Sequence, residues 1–332
     1  MTWSAQWFRT LQCKLILNQG IYMPMTVFKL SSLPAIFGAL TLLPMVSFAS
    51  VTAVTAEECE VMRQQGVMGE GSPVQCERLK NVTFSYVDFD GKTHKDGKIV
   101  VLDAVAPHVS RIFNELYTLN FPIKKAQPIE KYQGSDDKSM ADNNTSAFNY
   151  RAIAGQKSLS IHAYGLAIDL NPVQNPFIEF KENGAAKFKP AQGADHTNRM
   201  KYRFGKSDRQ GMAEEVISTF ARNGFQYWGG FWNTPIDYQH FQVSRDMAKL
   251  MTTMDSQAAS DFFERYVEWY GACEQKFQVE YQKHQFRDYT NYLKDTLQVT
   301  SLSAAYESNA QAVLSAISKQ PASYTKQACV RS

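Results

Sequence analysis

After Gly165 the chain alternates: Leu166, Ile168 and Leu170 fall on one face of an extended segment, and Ala167 and Asp169 fall on the other. An aspartate in so apolar a strand needs a partner, because a buried carboxylate is costly unless it is paired, hydrogen-bonded or bound to a metal. His162 lies just across the Tyr164-Gly165 turn, and a glycine there permits the reversal that brings the imidazole to the same point. Further along, His240-Phe241-Gln242-Val243 repeats the pattern, with His240 and Gln242 directed away from the core-facing Phe241 and Val243. Two imidazoles and one carboxylate suit Zn²⁺ as a three-ligand site, and a fourth position left to water is what separates a catalytic site from a closed structural one. Asp237 stands three residues before His240. It is then near the metal yet free to act as a general base. A lone histidine on a strand is more often a satisfied structural residue, so the reading rests on the combination and its order.

The spacing Ser160-x-His162-x-x-Gly165-x-Ala167-x-Asp169, followed by Asp237-x-x-His240-Phe241, resembles the M15 metallopeptidases. This group contains the D-Ala-D-Ala carboxypeptidases and L-alanyl-D-glutamate endopeptidases, and shares its fold with the hedgehog signalling domain. The resemblance runs from about Val100 through Phe121-Pro122-Ile123, the segment Asn143 to Arg151, and Asn171-Pro172 to Gly229-Gly230-Phe231-Trp232 and Gln242, less than half the chain. It implies an α+β, hedgehog/DD-peptidase-like zinc domain with a small antiparallel sheet flanked by helices. It also implies one Zn²⁺ per chain held by His162, Asp169 and His240, with Asp237 as the catalytic base and Arg151 as the arginine that binds substrate or the transition-state oxygen. Ser146, Ser160, Tyr164 and Trp232 are the other candidate substrate contacts. One departure is Phe231, where endopeptidases of the family often carry an acidic residue after the paired glycines.

With 332 residues, 44% of them hydrophobic, the chain can bury one substantial core and still carry extensions. A net charge of +3 gives no argument for nucleic acid, and none is expected as a partner. Met25-Thr26-Val27-Phe28-Lys29 begins a short basic start, Leu30 to Phe48 is mostly apolar, and Ser47-Phe48-Ala49 places small residues where a signal peptidase reads. The expectation is a secretory signal cut after Ala49, with Met23 or Met25 as initiator and the periplasm as destination. Pro34 and Pro44 interrupt the apolar run and no basic stop-transfer cluster follows, so no stable membrane span is expected after cleavage. Export then leaves Cys59, Cys76, Cys273 and Cys329, an even set in an oxidising compartment. Pairing Cys59 with Cys76 and Cys273 with Cys329 keeps each bridge within one segment; four buried free thiols are the alternative.

Four regions follow: 1–49, upstream residues and signal; 50–98, a lead-in segment read as a flap; 99–255, the zinc peptidase domain; and 256–332, a helical extension. Val82 to Phe89 reads as a strand, Asp90-Gly91 as a turn, and Ile99 to Leu119 as a helix. Gln133 to Asn144 reads as a polar loop. Asn171 to Gly211 is long and irregular, expected at the rim of the cleft, and its His196 is better taken as a solvated loop residue than as a ligand. Met212 to Arg222 reads as an amphipathic helix ending at Asn223-Gly224. Phe262, Phe263, Tyr266, Val267 and Tyr270 share a helical stripe of the extension, a packing face for the core or for a protein partner.

The leading functional expectation is an exported zinc peptidase acting on peptidoglycan stem peptides, with an L-Ala-D-Glu endopeptidase ahead of a D-Ala-D-Ala carboxypeptidase or dipeptidase. From another class, a zinc-stabilised wall-binding or scaffold protein without turnover is the competing reading. Asp237 argues against it, because a structural site has no use for an unliganded carboxylate three residues from a ligand.

Overall fold

The computed structural model describes residues 49–319 and 323–331. The expected basic start and apolar run of the leader, together with both candidate initiators, lie outside the described residues. Among the described residues no helix is long and apolar enough to cross a membrane.

The mixture of short antiparallel sheets and helices is α+β. The first sheet has the order β1 (Ser50–Ala53), β2 (Leu79–Val87) and β3 (Thr93–Leu102), all antiparallel. Between β1 and β2 comes α1 (Ala56–Gln64), started by a reciprocal cap in which Thr55 Oγ1 accepts from Glu58 N–H and the Glu58 carboxylate accepts from Thr55 N–H. The next helix, α2 (Ala106–Thr118), presses Val109, Ile112, Phe113 and Leu116 onto this sheet, with the Phe113 and Phe84 rings stacked at 3.8 Å between centroids.

The helix expected from Ile99 is a strand as far as Leu102. Ile99-Val100-Val101-Leu102 is buried on both faces, so it shows no alternation, and a short continuous apolar run fits either element. Pro107, in the first turn of α2, marks the real helix start. The boundary drawn between 98 and 99 therefore cuts β3. Nor is the lead-in a flap: Cys59, Met62, Val67, Met68 and Val74 belong to the same hydrophobic core as Leu116 and Phe148.

Two-residue strands β4 (Lys125–Ala126) and β5 (Asn144–Thr145) pair in parallel. The expected polar loop between them contains α3 (Asp136–Ala141), capped by Ser135. Strand β6 (Ala167–Asp169) begins the ligand sheet. The long stretch from Asn171 to Gly211 is less irregular than expected, because it holds a hairpin of β7 (Phe177–Phe180) and β8 (Ala186–Lys189). The helix expected from Met212 begins one turn later as α4 (Ile217–Arg222), after a 3₁₀ turn at Ala213–Glu215. It ends at Asn223-Gly224 as expected; Gly224 has φ +91°, and a Cβ there would stand 2.3 Å from Phe263 Cζ. Strand β9 (Tyr227–Trp228) precedes β10 (Ile236–Asp237) and β11 (His240–Gln242). Two further small sheets result, ordered β6-β11-β9 and β10-β7-β8.

After β11 the chain is helical: α5 (Arg245–Thr253), α6 (Ser256–Lys276), α7 (Gln278–Gln282), α8 (Tyr289–Leu297), α9 (Leu302–Ser308), α10 (Ala310–Ser318) and α11 (Lys326–Cys329). The aromatic stripe of α6 is a packing face within this chain, since Phe262, Phe263, Tyr266, Trp269 and Tyr270 all lie in the common core. Tyr266 Oη donates to Gly224 O at 3.1 Å, and Tyr227 Oη meets Asp288 at 2.5 Å, so the extension grips the segment leading into the ligand sheet. Both disulfides have the expected pairing, Cys59–Cys76 and Cys273–Cys329, with Cα separations of 5.9 and 5.4 Å. Replacing Cys273 and Cys329 together by alanine should lower the unfolding free energy by roughly 4 kcal/mol, against roughly 3 kcal/mol for the Cys59/Cys76 pair, on the loop-entropy model. Denaturant titration of the two double variants checks the order.

Candidate metal centre

Strands β6 and β11 are antiparallel with His240 directly opposite Asp169 and Phe241 opposite Ile168. Opposed residues share a face. Phe241 and Ile168 accordingly enter the core, where Phe241 stacks on Phe220 at 3.9 Å, and the register puts the imidazole beside the carboxylate on the other side. His162 arrives from a single 3₁₀ turn, Ile161–Tyr164, in which Ser160 Oγ accepts from His162 N–H at 3.3 Å. Gly165 ends that turn at φ +68°, and a Cβ there would stand 2.6 Å from Leu102 N, so no other residue could close the turn against β3 and lead into β6.

The result is a buried group in which His162 Nε2 lies 3.1 Å from Asp169 Oδ2, His240 Nδ1 lies 2.9 Å from Asp169 Oδ1, and the two nitrogens are 3.2 Å apart. One ligand atom from each of the three residues falls within 4.8 Å of the others. The outward-facing nitrogens are both committed: His162 Nδ1 donates to Ala147 O at 2.5 Å, and His240 Nε2 donates to Gln242 Oε1 at 2.7 Å. With those protons placed, each ring turns a lone pair toward the carboxylate, the second-sphere arrangement that fixes tautomer and orientation in metal-binding histidines. Two nitrogen lone pairs and a carboxylate held this close repel one another unless a cation lies between them. The donor set therefore fits a divalent metal of the zinc kind.

Without a cation, a proton on His240 takes its place beside the carboxylate. Burial opposes ionisation of Asp169, but the charge and hydrogen bonds of His162 and His240 outweigh it and hold the carboxyl well below the usual carboxylate range. Burial likewise disfavours a charged His240, yet the hydrogen bond and charge of Asp169, with the charge of Asp237 beyond, raise it to about 9. Asp237 behaves in the opposite sense to Asp169: burial and the nearby Asp169 charge push it up to about 7 against the pull of His240. Its Oδ1 is buried and has no hydrogen-bond partner. A carboxylate with a raised proton affinity and a free oxygen is equipped to accept a proton near neutral pH.

Asp237 is set in place by the long insertion after β6. Strand β10 pairs with β7, Asp237 opposite Phe177, and Gly229 lets the chain pass beneath, since a Cβ there would stand 2.5 Å from Asp237 O. Asp169, Asp237 and His240 open onto a cleft of about 570 Å³ walled by the β7–β8 hairpin, the Ile153–Gln156 loop and Trp232 to Pro235. Arg151 also lines it, bound to Asp136 at 2.9 Å and with its Nε buried and unpartnered. Of the other candidate contacts, Ser160 and Trp232 line the cleft, the Trp232 ring 5.5 Å from that of His240. Ser146 and Tyr164 do not, and this corrects the expectation. Ser146 exchanges backbone hydrogen bonds with Asp169, while Tyr164 is packed into the core. His196 lies in a separate depression with Arg203 and Arg209.

Several lining residues were absent from the sequence reading of the site. Gln242 had a signal, falling two residues after His240 on the same strand face. Arg245 follows His240 by five residues at the start of α5, whereas Asp136 and the hairpin residues Glu179, Lys187 and Lys189 come from other elements, and no local pattern announces them.

Residues 154–243 match a family model of the M15 peptidases described as D-alanyl-D-alanine carboxypeptidase. That match supports an M15 family peptidase. The segment matched to the M15 model contains His162, Asp169, Asp237 and His240 and stops short of Arg151 and of the helices from α5 onward. No curated protein and no solved structure gives a significant match. The role of Gln242 is open to measurement. Gln242→Leu, which removes the acceptor from His240 Nε2–H, should weaken metal affinity by about ten- to a hundredfold. A chelator-competition titration reads the change directly, and an unaltered affinity would mean that the imidazole is oriented by packing alone.

Proposed function

We propose that this protein is an exported zinc peptidase that cuts the stem peptides of peptidoglycan, within the stem between L-Ala and D-Glu, on a hedgehog/DD-peptidase-like arrangement of its ligand sheet. The carrying observation is the convergence of His162 Nε2, His240 Nδ1 and the Asp169 carboxylate at the floor of a cleft onto which Asp169 and His240 open and which the unpartnered Asp237 also lines; His162 stands behind them. His162, Asp169 and His240 would hold one Zn²⁺, which when bound polarises the scissile carbonyl and lowers the pKa of water at the open position. Asp237 takes the proton of the attacking water at Oδ1 and returns it to the leaving amine. Arg151, planar and permanently charged, binds a substrate carboxylate or the developing oxyanion. Trp232 and the hairpin wall hold the peptide and limit access of bulk water.

Cleavage within the stem is favoured by the room in the cleft, about 570 Å³, and by Lys187 and Arg245, which add cationic groups beside Arg151 on walls that also carry Asp136 and Glu179. The description attached to the matched family model favours the second reading, removal of terminal D-Ala. Export and a periplasmic location are supported by the two disulfides, which persist in oxidising compartments. The helical extension is spent largely on this chain's own core, which lessens the case for a non-catalytic scaffold built on it.

Three variants divide binding from chemistry. His162→Ala should lose the metal. Asp237→Asn should keep it and lose about a hundred- to ten-thousandfold in turnover, because an amide cannot take the proton. Arg151→Lys should retain metal yet rescue Arg151→Ala poorly, since the two-pronged contact is gone. Metal analysis alongside kinetics checks all three, and full metal content in both His162→Ala and His240→Ala would remove the site as drawn. Digestion of purified peptidoglycan followed by mass spectrometry identifies the bond. New D-Glu amino termini are expected; release of terminal D-Ala alone would establish the carboxypeptidase reading.

A further inference from the structure

The segment closed by the Cys59–Cys76 disulfide lies under the arm of the cleft that carries Arg151. Beyond α1 this segment buries Val67, Met68 and Val74 in the core. Tyr150 donates its backbone N–H to Val67 O at 2.9 Å. Its side chain occupies the room left by two glycines: a Cβ on Gly69 would stand 2.6 Å from Tyr150 Cε1, and a Cβ on Gly71 would stand 2.6 Å from Tyr150 Oη. Neither glycine has a positive φ, so what each supplies is space and not an unusual backbone.

The other partner of Arg151 touches the same segment. A Cβ on Gly134 would stand 2.5 Å from Gln65 O, so the chain entering α3 is pressed against the end of α1. Two residues later Asp136 takes the Arg151 guanidinium at 2.9 Å. Both members of this ion pair are thus within two residues of a close contact with one disulfide-closed stretch. The metal ligands rest chiefly on β6, β11 and the turn between Ser160 and Gly165, and the Tyr150 segment reaches them only through its backbone, Ala147 O accepting from His162 Nδ1 and Asn149 N–H donating to His162 O.

We propose that the Cys59–Cys76 segment is a positioning element for the substrate arm: Gly69 and Gly71 seat the Tyr150 ring, and Tyr150 in turn sets Arg151 against Asp136 at the cleft wall. The inference rests on the role given to Arg151 above. Tyr150 is a positioning residue and touches no reacting atom. Misplacing a binding group by about 1 Å can cost about a hundredfold in rate, and that is the scale of effect open to a methyl group added at either glycine.

The test uses the geometry of the two contacts. In the mature protein, Gly69→Ala and Gly71→Ala should each lower kcat/KM on stem peptides by about ten- to a hundredfold, with metal content unchanged. Adding Tyr150→Phe removes only the hydroxyl, so it should restore Gly71→Ala and fail to restore Gly69→Ala, whose added methyl meets ring carbons. Hydrogen exchange at the Tyr150 amide should quicken in both glycine variants, and Gly271→Ala, with open space around its Cβ, should change nothing. Unchanged Tyr150 exchange, equal rescue of both variants by Tyr150→Phe, or loss of metal in step with loss of activity would overturn the proposal. If the parent protein cuts no stem peptide, the functional reading fails while the exchange measurements still decide the positioning claim.

Discussion

Opposition of His240 and Asp169 across two strands of three residues each is the contact on which the rest of the site depends. Strand side chains alternate, so a slip of one residue would send His240 into the core and Phe241 out into the cleft. Little within such short strands resists that slip. What resists it is the apolar face: Ile168 and Phe241 are fully buried, and Phe241 is held between Phe220 and Trp228. The hydrophobic core thereby fixes the register, and the register brings a carboxylate to an imidazole at hydrogen-bond distance. A polar centre this buried is affordable only because every outward-facing ring nitrogen has found an acceptor.

The candidate proton acceptor is placed on different principles from the candidate ligands. Asp237 sits on β10, which pairs with the insertion hairpin and not with the ligand sheet, and the two sheets are joined through Tyr238 and Gln239. Burial raises its proton affinity against the weaker pull of His240, Gln239 and Arg151, whereas the two imidazoles around Asp169 overcome burial and lower that of Asp169. Two aspartates of identical intrinsic chemistry are driven in opposite directions by what surrounds them, and this separation suits one to hold a cation and the other to take up a proton.

Those parts of the site that lie close together in sequence were legible. Alternation around Asp169 and His240, the glycine turn after His162 and the pairing of the cysteines all follow from local chemistry. The β7–β8 hairpin reads as irregular in sequence because its residues, Phe177 to Phe180 and Ala186 to Lys189, are largely exposed and partly polar and show no apolar alternation; the two strands pair with each other, and Ile236 and Asp237 add a third strand to β7 alone. Strand β3 was read as helix because burial on both faces erases periodicity. The placement of Ser146 and Tyr164 outside the cleft depends on tertiary packing that no spacing encodes.

The two disulfides and the candidate metal centre follow one another along the chain without overlap: Cys59 to Cys76, His162 to His240, Cys273 to Cys329. No closed loop encloses an end of another, so none has to be threaded through one already formed. Four cysteines can pair in several ways, and neighbour pairing alone leaves the central ligand region outside both covalent rings. A chain emerging from its amino end can complete each ring before the next partner appears, and the candidate metal centre is then brought together after the first covalent ring and before the last.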